Sequence, residues 1–118
     1  MNSKDFIKDA IKTESNQFHN VDPRIIHAVS GLVTEAAEMQ DALKKSMFYG
    51  KELDIVNLKE ESGDILWYLA ILFDELDTDF ATDMARVIKK LKTRYPDKFN
   101  SNKALNRDLQ KERKVLEE

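Results

Sequence analysis

Two short acidic motifs carry the chemistry that can be read from this chain. The first is Glu35-Ala-Ala-Glu38 and the second is Glu61-Ser-Gly-Asp64, with 22 residues between Glu38 and Glu61. Residues three apart on a helix are neighbours on its surface. Each motif therefore presents two carboxylates side by side. Either pair alone is an ordinary solvated pattern. Glu61 is different, because at about 100° per residue it shares a helical stripe with Ile65, Tyr68 and Leu72. A carboxylate on an apolar stripe must be paired, protonated or bound to a metal, since an unpaired buried charge costs several kcal/mol.

Glu35 borders the apolar face of its own helix, whereas Glu38 lies nearer the polar side. If the two helices pack antiparallel, the four carboxylates converge. Four oxygen donors suit a hard divalent cation, Mg²⁺ or in its place Mn²⁺. A di-iron centre in a helical bundle needs Glu-x-x-His pairs. Neither acidic pair has a His at that position, and the two histidines, His19 and His27, stand apart from the acids. His27 is expected on an exposed polar face.

These carboxylates need helices to hold them. Glycine (3) and proline (2) are scarce among the 118 residues, and no strand-like alternation is present. Helix 1 is expected from Ser3, as N-cap, to Phe18. Helix 2 is expected from Asp22 to about Phe48, with Asp22 as N-cap, Pro23 in the first turn and Gly50 at the stop. Helix 3 runs from Asp54 to about Leu76, and its apolar stretch from Ile65 to Phe73 reads as buried all round. Gly63 costs helix stability but leaves room for a neighbour or a ligand. Helix 4 runs from Asp79 to Tyr95 and is stopped by Pro96. Residues 97–118 form a polar arm in which Leu105, Leu109 and Leu116 support a short helix. The expectation is an all-α four-helix bundle, one domain over residues 1–118, with its core completed by a second copy.

Composition narrows the alternatives. The net charge is -3 with 35% charged residues of both signs, which is not the basic footprint of a nucleic-acid-binding domain. The longest apolar run, Ile65 to Phe73, is too short for a membrane span. There are no cysteines, which excludes disulfides and thiolate metal sites. With no apolar run of signal-peptide length near the N-terminus, a cytoplasmic location is expected.

The order Glu-x-x-Glu then Glu-x-x-Asp, with its flanks, resembles the MazG-like, all-α NTP pyrophosphohydrolase family. The flanks are Gly31-Leu-Val-Thr-Glu-Ala-Ala-Glu38 and Glu60-Glu-Ser-Gly-Asp-Ile-Leu-Trp-Tyr-Leu69. Arg94-Tyr-Pro-Asp-Lys-Phe99 and Asn106-Arg-Asp-Leu-Gln-Lys-Glu-Arg113 add to it, so that the likeness extends over about residues 20–118. The resemblance implies hydrolysis of an NTP or dNTP to the monophosphate and pyrophosphate. It implies Mg²⁺ at Glu35, Glu38, Glu61 and Asp64, and assembly into a homodimer or homotetramer. Two departures stand out. Thr34 replaces a Glu that many relatives carry, and helix 4 lacks the Asn that contacts nucleotide in some of them.

Roles follow as expectations. Glu38, nearer solvent, is the candidate general base for the attacking water. Lys90 and Arg94, one turn apart on helix 4, are candidates to clamp the outer phosphates. Lys44 and Lys45 are weaker ones. Tyr68 would donate its hydroxyl to a phosphate, and Trp67 or Phe48 would stack on the base. Asn106 and Arg107 are candidates to close from the tail. The competing readings are a phosphoribosyl-ATP pyrophosphohydrolase of the same fold and a non-catalytic helical adaptor dimer.

Overall fold

The computed structural model describes all 118 residues. It contains six helices and no strand: α1 (Ser3–Ile11), α2 (Pro23–Tyr49), α3 (Ile55–Glu75), α4 (Phe80–Arg94), α5 (Ser101–Leu105) and α6 (Leu109–Glu117). The chain is all-α, as expected.

Aspartates start the three long helices. The Asp22 carboxylate accepts the Arg24 N–H at 2.8 Å, Asp54 accepts that of Asn57 at 2.9 Å, and Asp79 accepts that of Thr82 at 2.7 Å. Each satisfies one of the orphan donors of a first turn. Gly50 closes α2 in the left-handed region at φ 71°, a conformation that a side chain disfavours. Tyr95, which precedes Pro96, leaves the helical region and ends α4.

The first helix is shorter than its expected range. It stops at Ile11, and its N-cap is Asn2 rather than Ser3. The Thr13 hydroxyl donates to the Ala10 carbonyl at 2.7 Å, and the Ser15 hydroxyl accepts the Gln17 N–H at 3.3 Å. Such local side-chain bonds compete with the helix ladder and win in a Thr-Glu-Ser-Asn run. The polar arm holds two short helices, each capped by its own side chain, Asn100 for α5 and Asp108 for α6.

Packing follows two pairings. α2 and α3 form an antiparallel hairpin, and α4 packs on α6. Arg24, at the start of α2, pairs with Asp74 at 2.6 Å and Glu75 at 3.1 Å at the end of α3, which pins the open end of the hairpin. At its middle the helices approach closely: a Cβ built on Gly31 would overlap the Tyr68 ring.

These two pairs do not enclose a bundle within one chain. The radius of gyration is 20.1 Å, against roughly 13 Å for a compact chain of this length. Ala28 is the only buried apolar side chain. The stretch from Ile65 to Phe73 is not buried all round: one face meets α2, while Leu66 and Trp67 remain exposed. Apolar residues of α1 (Phe6, Ile7, Ile11), α2 (Ile26, Val33) and α4 (Met84, Ile88) are likewise exposed. No helix is long and apolar enough to cross a membrane.

Candidate metal centre

Because α2 and α3 run antiparallel, the two acidic motifs face each other across the hairpin. Carboxylate oxygens of Glu35, Glu38 and Glu61 all lie within 4.8 Å of one another. Glu61 is 6% exposed, so the acid expected on an apolar stripe is the deepest of the group. Glu35 is half-buried, and Glu38 faces solvent. Asp64 is exposed and lies outside this close trio. Its charge nevertheless reaches both Glu35 and Glu38 and raises their pKa values.

The electrostatics are those of crowded like charges. The Glu35 carboxyl is pushed up to about 7, first through its hydrogen bond with Glu61, then by burial and by the charges of Glu38, Glu61 and Asp64. Glu38 is also raised, first by the charge of Glu61. Crowding of this kind favours a shared proton or a cation. The donor set fits the cation: all oxygen, negatively charged and close. At ~2.1 Å from a hard divalent ion, adjacent ligands stand about 3.0 Å apart and opposite ones about 4.2 Å, so the trio, already within 4.8 Å of one another, would draw in further to share one ion.

Glu38 and Glu61 line a cavity of about 320 Å³ with Asp41, Lys45, Lys51 and Asn57. Lys45 is held by Asp41 at 2.6 Å. An adjoining cavity of about 700 Å³ is apolar and lined by Leu43, Met47, Phe48 and Leu53. Space in front of Gly63 is open.

The remaining candidates are dispersed. Tyr68 is half-buried, seated on Gly31, with its ring edge-on to His27 at 5.7 Å and to Trp67 at 5.0 Å. His27 and Trp67 are exposed. Lys90 and Arg94 lie on α4, which meets the hairpin at its first residue, where Phe80 stands edge-on to Phe73 at 4.9 Å, and otherwise packs chiefly on α6. Arg94 makes a bidentate pair with Glu112, Nε to Oε1 at 2.6 Å and Nη2 to Oε2 at 3.1 Å. Arg107 donates to the same carboxylate at 2.6 Å. The two arginines hold Glu112 down to about 2, Arg94 more than Arg107, and Glu112 in turn raises Arg94. The Asn106 amide donates back to Asn102 within α5.

Sequence reasoning passed over two residues. Asn57 donates its amide to Glu61 Oε1 at 2.9 Å; the signal was its position one turn before Glu61. Glu112 is 3% exposed at the heart of the tail. Nothing in a polar run of alternating charges separates it from its neighbours.

Residues 26–99, which contain both acidic motifs and α4, match the family model of the MazG nucleotide pyrophosphohydrolase domain. The chain is also similar to the gene 37 protein of Mycobacterium phage L5, with 33% identity over 75 residues covering 58% of this chain and 63% of that protein. It thus spans just under two-thirds of that relative's length. No solved structure matches the chain significantly. With the family match extending over more than half of its length, the chain belongs to the MazG nucleotide pyrophosphohydrolase family.

Proposed function

We propose that this protein hydrolyses an NTP or dNTP to the nucleoside monophosphate and pyrophosphate, with Mg²⁺ held by Glu35, Glu38, Glu61 and Asp64. The observation that carries the proposal is the convergence of three carboxylates, one of them buried, inside the segment that matches the family. Mn²⁺ has the same preference for oxygen ligands and is the expected substitute.

A divalent cation bound there neutralises triphosphate charge and holds the reacting groups in line. Glu38 faces solvent and takes the proton of the attacking water. The water oxygen bonds to the α-phosphorus. The bond from that phosphorus to its bridging oxygen breaks, and pyrophosphate leaves with the electron pair. Lys90 binds the outer phosphates once α4, of the same or a second copy, closes on the hairpin, and Arg94 joins it by giving up its pair with Glu112. Tyr68 donates to a phosphate. The base stacks on Trp67 or on Phe48, which lines the apolar cavity beside the acids.

The active form is a homodimer or homotetramer. One chain exposes 9967 Å², whereas a compact protein of its 13.7 kDa exposes roughly 6,600 Å². The difference, about 3,400 Å², is well beyond the roughly 800 Å² that each partner gives to a standard interface. A cytoplasmic site of action fits a nucleotide substrate and a cysteine-free chain.

The test is pyrophosphate release from a panel of NTPs, dNTPs and phosphoribosyl-ATP, with Mg²⁺ and with EDTA. Metal-dependent release from one nucleotide class supports the proposal and names the substrate. Release from phosphoribosyl-ATP alone would move the assignment to the histidine-pathway reaction. Silence throughout, with no thermal stabilisation by Mg²⁺, would favour the adaptor reading.

A further inference from the structure

We propose that Asn57 is the positioning residue of the acidic cluster, its side-chain amide fixing the Glu61 carboxylate in the orientation that a divalent cation requires. The inference rests on reading the cluster as a cation site, and it assigns to Asn57 the strength of that site.

The geometry is local and well supported. Asn57 Nδ2 donates to Glu61 Oε1 at 2.9 Å, one helical turn away on α3. Its own backbone N–H is held by the Asp54 cap at 2.9 Å, which anchors the first turn from which the amide reaches. Asn57 is half-buried, and both it and Glu61 line the cavity that contains Glu38.

The chemistry of the donor is informative. Glu61 is 6% exposed, yet no Lys or Arg pairs with it; the Asn57 amide is its N–H partner. A carboxylate that existed for stability would be expected to face a cation, as Glu112 faces Arg94 and Arg107. A neutral amide orients the group and leaves its full negative charge. A lysine at that position would offset the very field that attracts a metal ion. With Oε1 held by the amide, Oε2 has no N–H partner in the chain. Donors that orient metal ligands in this way are typically worth 10- to 100-fold in metal affinity.

The experiment is Mn²⁺ titration of the metal-free full-length chain, read by the loss of the free-ion electron paramagnetic resonance signal. Wild type, Asn57→Leu, Asn57→Gln and Glu61→Gln are compared. Asn57→Leu keeps the size and removes the donor, and it is expected to weaken Mn²⁺ binding roughly 10- to 100-fold. Its melting temperature without metal should stay close to that of wild type. Asn57→Gln, which keeps an amide, should recover most of the affinity. Wild-type Mn²⁺ affinity in Asn57→Leu would overturn the inference while leaving the cation site standing. A lowered metal-free melting temperature with unchanged affinity would do the same, since that is the mark of a purely structural amide. If wild type itself takes up no Mn²⁺, the cation reading fails and the role of Asn57 fails with it.

Discussion

Glu35 on α2 and Glu61 on α3 bring carboxylate oxygens within 4.8 Å of each other across the hairpin, and Glu61 is buried there. Two like charges so placed make the hairpin work against itself unless a proton or a cation lies between them.

The first prediction concerns pH. Glu35 has an ordinary value near 4.5 and is pushed up to about 7 in the folded chain, chiefly through Glu61. The folded state therefore holds a proton that the unfolded state has released between these two values. The contribution of Glu35 to metal-free stability is fully present below the ordinary value and falls as pH rises through 4.5 towards 7. Melting temperatures at pH 5.5 and pH 8 without metal should show the loss, and Glu35→Gln should flatten it. Mg²⁺ should restore stability at pH 8, with proton release when it is added below pH 7. A metal-free melting temperature that rises over this interval would contradict the assignment.

A second titration lies at the other end of the chain and has the opposite sign. Glu112 is held down to about 2 by Arg94 and Arg107. Its contribution is fully present above the ordinary carboxylate range and is lost as pH falls from about 4.5 towards 2. Glu112→Gln should release α6 from α4, and limited proteolysis should then cleave the C-terminal segment faster at neutral pH. Equal cleavage in mutant and wild type would show that other contacts, such as that of Lys89 with Glu118, suffice to hold α6.

Gly31 is predicted to be intolerant of alanine. Alanine gains up to about 1 kcal/mol of helix propensity over glycine. The new methyl group, however, would overlap the Tyr68 ring, and overpacking of this kind costs about 1–3 kcal/mol. Overpacking wins, so Gly31→Ala should lower the melting temperature. Tyr68→Leu should relieve part of the cost, and the two changes should be non-additive in a double-mutant cycle.

The exposed apolar faces predict a mass. Sedimentation equilibrium should give two or four times the 13.7 kDa of one chain. Val33→Glu, at a position 65% exposed in the single chain, should shift the mass towards that of the monomer and lower stability together. A wild-type monomer would remove the second copy from the account.

Much of this arrangement was legible in the residues themselves. Asp22, Asp54 and Asp79 announce helix starts because an aspartate before an apolar repeat has one obvious use, and each is found capping. The position of Glu61 on a stripe with Ile65 and Tyr68 was enough to single it out, because burial of a charge needs a reason. What escaped was decided by partners distant in the chain or absent from it. Glu112 is buried because Arg94, 18 residues away, reaches it. The early end of α1 depends on hydroxyl bonds that a helical wheel does not weigh. The exposure of Leu66 and Trp67 reflects the surface available to them, since periodicity identifies an apolar face and is silent on which chain covers it.

The most direct test of the central claim is pyrophosphate release by wild type and Glu61→Gln, each with Mg²⁺ and with EDTA, on the best nucleotide of the panel. The account predicts release by wild type with Mg²⁺ alone and a loss of roughly a hundred-fold or more in Glu61→Gln, whose fold should be retained. Release that survives EDTA, or a Glu61→Gln protein as active as wild type, would contradict it.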